Sequence, residues 1–403
     1  MKGLVQLDKS LSYTLLELPN LVNIGIRDNL LTSKSKDKWF PESSDDCFKS
    51  IKENNPLLNT FYRNMKIDSL KTHINTASDT KNKKIWDNNQ NTFDIILDEG
   101  KVHYPNYLEQ DKSISVMQPF KKYMNFNKYQ PYFQPRGRLS DLCTLNSIGP
   151  IGVKFTKNTK QDVSICYANT FDDKDLSCIT AIIEIGKGTN LVLDEYFENK
   201  KDSIKLYNIV YLIKEGSSVT INRKYDLNDK DNSASIVESR VIQFPNSKFT
   251  LDVTGEGSKH TQDIVDLEIY NDCYTNILGT FNCFDKSINN MYVNLDHKGE
   301  NSFSRVDVRS IIDDQAHSSF LGSINVEKSA TGVDAELFNK NLLLSNTATV
   351  FTEPQLDINT KEINCKHGCT VSNIDKDQLY YLQTKGIDKF TAEETIKRCF
   401  LTI

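Results

Sequence analysis

The chain lacks the features that mark exported, membrane-bound or nucleic-acid-binding proteins. No apolar run approaches the roughly 18–20 residues that a membrane span requires. The first residues, Met1–Asp8, contain no apolar segment of the secretory type, so a signal peptide is not expected. Positive charge is in deficit: the net charge is −5 over 403 residues, which leaves no basic field for nucleic acid. The nine cysteines are an odd number, and none forms a Cys-x-x-Cys pair. In a chain this long that is no disulfide framework, and reduced thiols are expected. Together these absences imply a soluble, cytoplasmic protein.

Familiar catalytic motifs are missing as well. There is no His-x-x-x-His and no Gly-x-Ser-x-Gly. Gly186-Lys187-Gly188-Thr189 lacks the spacing of a phosphate loop, and Gly255-Glu256-Gly257 is an incomplete dinucleotide fingerprint. Both read as turns. The acidic pairs Asp172-Asp173 and Asp313-Asp314 read as solvated loop faces rather than acid/base couples. No nucleotide site is expected in this chain, so an ATP-driven step would have to come from a partner.

What is present divides into three stretches. Residues 1–150 read as mostly helical and irregular. Asp45-Asp46-Cys47-Phe48-Lys49-Ser50-Ile51 can open a short helix that Asn54-Asn55-Pro56 ends, because proline cannot continue the ladder. Lys81–Asn91 is polar and reads as a loop, and Pro131, Pro135 and Gly137 punctuate the end of the region.

Over 151–371 short alternating apolar runs recur with a turn between them. Ile183-Glu184-Ile185 leads through Gly186-Lys187-Gly188 to Leu191-Val192-Leu193, and Tyr211-Leu212-Ile213 leads through Glu215-Gly216 to Val219-Thr220-Ile221. Taking Gly186, Gly216, Asn246 and Asn271 as markers, the turns recur every 25 to 30 residues. Period-two alternation means strands with one buried face, and a repeat of that length means stacked units that share one core. No helix-length pattern separates the strands, which argues against βαβ units. A parallel β-helix fits best; a β-sandwich, whose strands are also short and regular, is the competing reading.

Residues 372–403 turn helical. Asp375 with Gln378 resembles a capping box, Gly386 sits where a glycine would end the helix, and Thr391 with Glu394 reads as a second box. Leu379 and Leu382, then Ile396, Cys399 and Phe400, recur at helical spacing. The expectation is a small helical hairpin, either a cap on the last coil or a docking surface, with Leu379, Leu382, Ile396 and Phe400 as its contact residues.

Just upstream, Cys365, His367 and Cys369 are spaced two apart, so a regular strand would turn all three to one face. Thiolate with imidazole suits zinc or iron–sulfur chemistry. The bland alternative is a pair of buried hydrophobe-like thiols and a hydrogen-bonded structural histidine. Gly368 would break the shared face if it marked a bulge.

Four blocks then match in series: Asn339-Lys340-Asn341-Leu342-Leu343-Leu344-Ser345, Pro354-Gln355-Leu356-Asp357-Ile358, Cys365-Lys366-His367-Gly368-Cys369-Thr370 and Leu379-Tyr380-Tyr381-Leu382-Gln383-Thr384-Lys385-Gly386-Ile387. In order and spacing they resemble the C-terminal signature of the SufD family, part of the SufBCD iron–sulfur cluster assembly complex. The resemblance is strong over the last third, thin in the middle and weak at the start, where Tyr62–Leu70 is similar to a Trp-Lys-Tyr-Thr segment. It implies a right-handed parallel β-helix between an N-terminal helical region and a small C-terminal helical domain. It also implies a non-catalytic scaffold that pairs with a SufB-like subunit and holds a SufC-like ATPase on its C-terminal helices. His367 matches the family histidine at the SufB contact, where a nascent cluster would be shared transiently; Cys365 would be the weaker candidate. A SufB chain would carry His-Glu there and its own Cys in the preceding coil, which this chain lacks. Cys369 stands where the family usually has Ala, so the resemblance alone predicts little effect of Cys369→Ala. Gln383-Thr384-Lys385 replaces the usual Arg-Ser-Arg, and Leu337 stands where Gln is common. Phe320-Leu321-Gly322-Ser323-Ile324 is similar to a further family block, its glycine expected in a positive-φ turn. The rival readings are a SufB-like scaffold that binds the cluster alone, and a β-helix enzyme acting on polysaccharides.

Overall fold

A computed structural model describes residues 93–98, 101–103, 113–117, 126–133, 143, 147, 150–156, 162–168, 176–197, 204–225, 234–257 and 260–402. The helix expected over 45–51 and the segments 62–70 and 81–91 lie outside these residues. Within 93–133 the described elements are short strands and a 3-10 helix at Phe126–Phe133, where the sequence suggested mostly helix.

The strands are β1 (Ile95–Asp98), β2 (Lys101–His103), β3 (Ile114–Met117), β4 (Ile151–Phe155), β5 (Asp162–Tyr167), β6 (Leu176–Ile185), β7 (Asn190–Phe197), β8 (Ile204–Ile213) and β9 (Ser218–Tyr225). They continue with β10 (Ala234–Gln243), β11 (Lys248–Glu256), β12 (His260–Ile269), β13 (Tyr274–Cys283), β14 (Ile288–His297) and β15 (Phe303–Ile312). The last four are β16 (His317–Val326), β17 (Val333–Leu343), β18 (Thr349–Ile358) and β19 (Ile363–Asn373). Even-numbered strands from β4 to β18 pair in parallel in one sheet, and odd-numbered strands from β5 to β19 in the other. Consecutive strands therefore alternate between the sheets, and each pair of strands makes one coil of a parallel β-helix. Among the described residues, antiparallel pairing occurs only where β2 meets β1 and β3 meets β4. The sandwich reading is excluded, since its sheets would be antiparallel. Parallel stacking begins earlier than residue 151, because β1 already pairs in parallel with β5.

The coil length follows from the register. Ala234 pairs with His260, 26 residues on, and His317 with Thr349, 32 residues on. One corner repeats down the solenoid. Gly188, Gly216, Asn246, Asp272, Asn301 and Gly332 all have φ between 53° and 70°. Each donates its N–H to a carbonyl in the corner of the next coil: Gly216 to Pro245, Asn246 to Asn271, Asp272 to Glu300. Positive φ is open to Gly and tolerated by Asn and Asp, which is why those residues stand there. The pattern places this corner correctly at Gly216 and Asn246, and one or two residues early at Gly186 and Asn271.

Alternate residues point inward and fill the coil. Val333, Ala335 and Leu337 on β17 are essentially inaccessible, as are Phe320 and Ile324 on β16. Burial of each large side chain contributes on the order of 1.5–3 kcal/mol. Gly322 belongs to this interior and not to a turn. It sits mid-strand, where an added Cβ would lie 2.4 Å from Leu337 Cδ1 and 2.8 Å from Phe320 Cε1. Its role is close packing, which the positive-φ expectation missed.

The outer face of the even-numbered sheet is also apolar in part. The 3-10 helix lays Tyr129 and Phe133 over Ile182, Val210, Leu212 and Ile242. Tyr129 donates its hydroxyl to Glu184 (2.7 Å) and Arg240 donates to the Tyr132 carbonyl (2.9 Å).

Two helices follow β19: α1 (Lys376–Thr384) and α2 (Lys389–Leu401). Asp375 caps α1, its carboxylate accepting from the Asp377 N–H (2.9 Å), and Gly386 at φ 84° ends the turn after it. Asp388, not Thr391, caps α2: its side chain accepts from the Thr391 N–H (3.0 Å). Thr391 lies inside the helix. Aspartate at both caps also complements the positive helix N-terminus.

Candidate functional site

The solenoid is open at its C-terminal end. Among the described residues β18 pairs only with β16 and β19 only with β17, so each presents a free edge there. No residue of either strand is buried. Free parallel edges carry unpaired backbone donors and acceptors that another chain can use.

Register decides what faces the opening. Cys365, His367 and Cys369 pair with Ala335, Leu337 and Asn339, all inward-facing and fully buried one coil earlier. The three ligand-type side chains therefore share the inward face of the last coil. Pairing continues unbroken past Gly368, so there is no bulge. From the opposite sheet, Thr352 and Leu356 pair with inward-facing Phe320 and Ile324. Cys369 Sγ lies 3.0 Å from Thr352 Oγ1 across the opening.

The environments of the three residues differ. His367 is exposed. Cys365 is half-buried and packs on the core; burial, and then the charge of Asp334, push its thiol pKa up. Ile358 and Val371 leave 37% and 49% of their surface in solvent, so apolar surface surrounds the polar residues at the rim. Among the described residues no group of three or more His, Cys, Asp or Glu is placed to hold a metal ion.

The helical hairpin leaves the opening uncovered. α2 packs beside β15, where Arg309 donates to the carbonyls of Phe400 (2.9 Å) and Thr402. Asp307, almost fully buried, holds that guanidinium with a 3.1 Å contact. A cation at these carbonyls complements the negative end of α2. A groove of about 770 Å³ runs between hairpin and solenoid, with Leu342, Leu382, Ile396, Cys399 and Phe400 among its lining residues. Leu379 is half-buried and does not line it. The outermost aromatic residues are Tyr380, Tyr381 and Phe390, exposed by 69%, 59% and 71%.

A second polar constellation, missed by motif reading, fills the middle of the solenoid. Arg223, 1% exposed, donates to Glu195 (3.0 and 3.1 Å), Asp263 (2.7 Å) and the Tyr211 hydroxyl (3.0 Å). Tyr167 donates to Glu195 (2.9 Å), Tyr211 donates to Glu195 as well, and Tyr225 to Asp263. Burial works against the guanidinium charge, but Asp263 and the other partners outweigh it and raise its pKa well above the usual value. Burial, then the neighbouring carboxylates, pushes the three tyrosines up, so they stay neutral donors. The signal was present: Arg223 continues the inward alternation Val219, Ile221, and Glu195 continues Leu191, Leu193.

These features define the chain as a parallel β-solenoid protein with a Cys- and His-bearing terminal coil and a capped helical hairpin. Residues 169–400 match the model of the SUF system FeS cluster assembly SufBD core domain, and the chain belongs to that family. It is SufD-like. Over 92 residues it is 38% identical to the iron–sulfur cluster assembly protein SufD of Escherichia coli, covering 23% of this chain and 22% of that protein. Over 144 residues it is 28% identical to SufD of Bacillus subtilis, covering 36% and 32%. A SufBD family protein of Synechocystis is 32% identical over 92 residues, covering 23% and 20%. The chain thus spans between a fifth and a third of the length of these relatives.

Proposed function

We propose that this protein is a non-catalytic scaffold subunit of the SUF iron–sulfur cluster assembly machinery. Its open solenoid end pairs with a SufB-like subunit, and the nascent cluster is carried there as shared cargo. His367 serves at that contact as ligand or proton acceptor, which neutral imidazole can do in either role. The hairpin, residues 372–403, docks a SufC-like ATPase that supplies the nucleotide chemistry this chain lacks. The β-helix over 151–371, which β1 extends at its N-terminal end, is the pairing body.

One observation carries this reading: an exposed histidine on the inward face of a coil that no described residue stacks upon. A structural histidine on that face would lie beneath a further coil. Tyr380, Tyr381 and Phe390 support the docking role, since solvent-facing aromatic residues mark contact surfaces.

The test is co-purification of the full chain with SufB-like and SufC-like subunits, beside a truncation ending at residue 375. The truncation is expected to keep the SufB-like partner and lose the ATPase, with circular dichroism showing an intact β-helix. Equal ATPase capture by the folded truncation would refute the docking role, and no capture of a SufB-like subunit by the full chain would refute the pairing role.

A further inference from the structure

We infer that Cys369 and His367 form a thiolate–imidazole ligand pair for a thiophilic divalent ion, of which ferrous iron is the relevant case. The inference deepens the site reading proposed above and rests on it for the identity of the metal. Both residues occupy the inward face of β19, paired with Leu337 and Asn339. Residues two apart on a strand have Cα atoms about 6.6 Å apart with parallel side chains. That separation lets one ion meet both groups, given bonds of about 2.0–2.3 Å. A thiolate with an imidazole selects iron or zinc over calcium and magnesium.

Two cysteines flank His367, and their surroundings separate them. Cys365 packs against the hydrophobic core, which turns its sulfur towards apolar neighbours. Cys369 is half-buried at the opening, and its sulfur is in hydrogen-bond contact with the Thr352 hydroxyl at 3.0 Å. A metal-bound thiolate takes such a hydroxyl as its outer hydrogen-bond donor, which fixes the sulfur's direction. Thr352 comes from β18, so both terminal strands brace the pair. On binding, the Cys369 thiol gives its proton to solvent and the neutral imidazole lends a lone pair. The remaining coordination positions stay open to water or to a facing chain, consistent with the absence of a three-residue metal group among the described residues.

The experiment is an anaerobic cobalt(II) titration of the reduced full-length chain alone, read by its absorption spectrum. Thiolate ligation produces an intense near-ultraviolet charge-transfer band that nitrogen and oxygen ligands do not. The wild type is expected to show the band at one equivalent. Cys369→Ala is expected to abolish it, and Cys365→Ala and Cys399→Ala to retain it. His367→Ala is expected to keep a weakened band with affinity lower by at least about tenfold. Thr352→Val is expected to keep the band and lower affinity by a smaller factor. A wild type without the band, a band that survives Cys369→Ala, or one lost in Cys365→Ala instead would each overturn the ligand pair. The titration uses no partner subunit, so it stands or falls separately from the co-purification above.

Discussion

The middle of the solenoid and its open end place similar chemistry at equivalent inward positions, with opposite consequences. Around Arg223 the coils on both sides close the space, and guanidinium, carboxylates and tyrosine hydroxyls satisfy one another. Around His367 no described coil follows, and an imidazole and a thiol are left at the open end of the coil. A polar inward residue in a β-helix is therefore structural when the next coil covers it, and available for ligands or partners when it does not. Position along the stack, more than residue type, divides the two roles.

The comparison breaks most visibly at Arg223. Replacing it with Met leaves Glu195 and Asp263 buried without their counter-charge. The expected loss of stability is about 3–5 kcal/mol, measured by urea denaturation. A loss below about 1 kcal/mol would show that the network is hydrated and that the middle is not closed as described.

Acid should attack the covered region next. Burial lowers His297 to a pKa of about 4, and burial with the nearby His317 lowers His260 to about 4. Both sit below the unfolded value of 6.5, so the unfolded chain binds the extra protons. Their stabilising contribution is complete above pH 6.5 and disappears as pH falls towards 4, on the order of 3 kcal/mol for each histidine. Melting temperatures measured from pH 7 to 4 should drop across that window. His297→Gln, which keeps a polar partner for Ser302 and Ser304, should flatten the slope. An unchanged slope would mean that His297 binds protons in the fold as it does in the unfolded chain.

The smallest stability effect is expected at the open end. His367→Ala should leave the unfolding free energy, read by urea denaturation, within about 0.5 kcal/mol of wild type, because it removes exposed surface and no buried contact. Complementation of a SufD-deficient strain should nevertheless fall sharply. Parallel loss of stability and activity would make His367 a packing residue and erase the distinction between the two regions.

Much of this was legible in the sequence because a solenoid writes its period twice, in alternation and in turns. Gly216 and Asn246 announced their corner because only a few residue types accept its backbone. The shared face of Cys365, His367 and Cys369 followed from their spacing, whereas its inward direction came from the register with β17. Gly322 misled because glycine marks tight approach as readily as positive φ, and only the neighbouring coil's Leu337 distinguishes them. The cap of α2 went to Asp388 because its carboxylate reaches both Thr391 groups, outcompeting the Thr-x-x-Glu pattern. The Arg223 network was hidden because its members lie on β5, β7, β8, β9 and β12, and pairing across coils is not visible in a linear chain.

Amide hydrogen exchange of the chain, alone and with a SufB-like subunit, tests the openness of the last coil most directly. In the free protein, the amides of β18 and β19 that point away from β16 and β17 should exchange far faster than those of β10 and β12. In the complex the same terminal amides should become protected while the middle of the solenoid is unchanged. Protection appearing elsewhere, with β18 and β19 still exchanging freely, would contradict the assignment of the open end as the pairing surface.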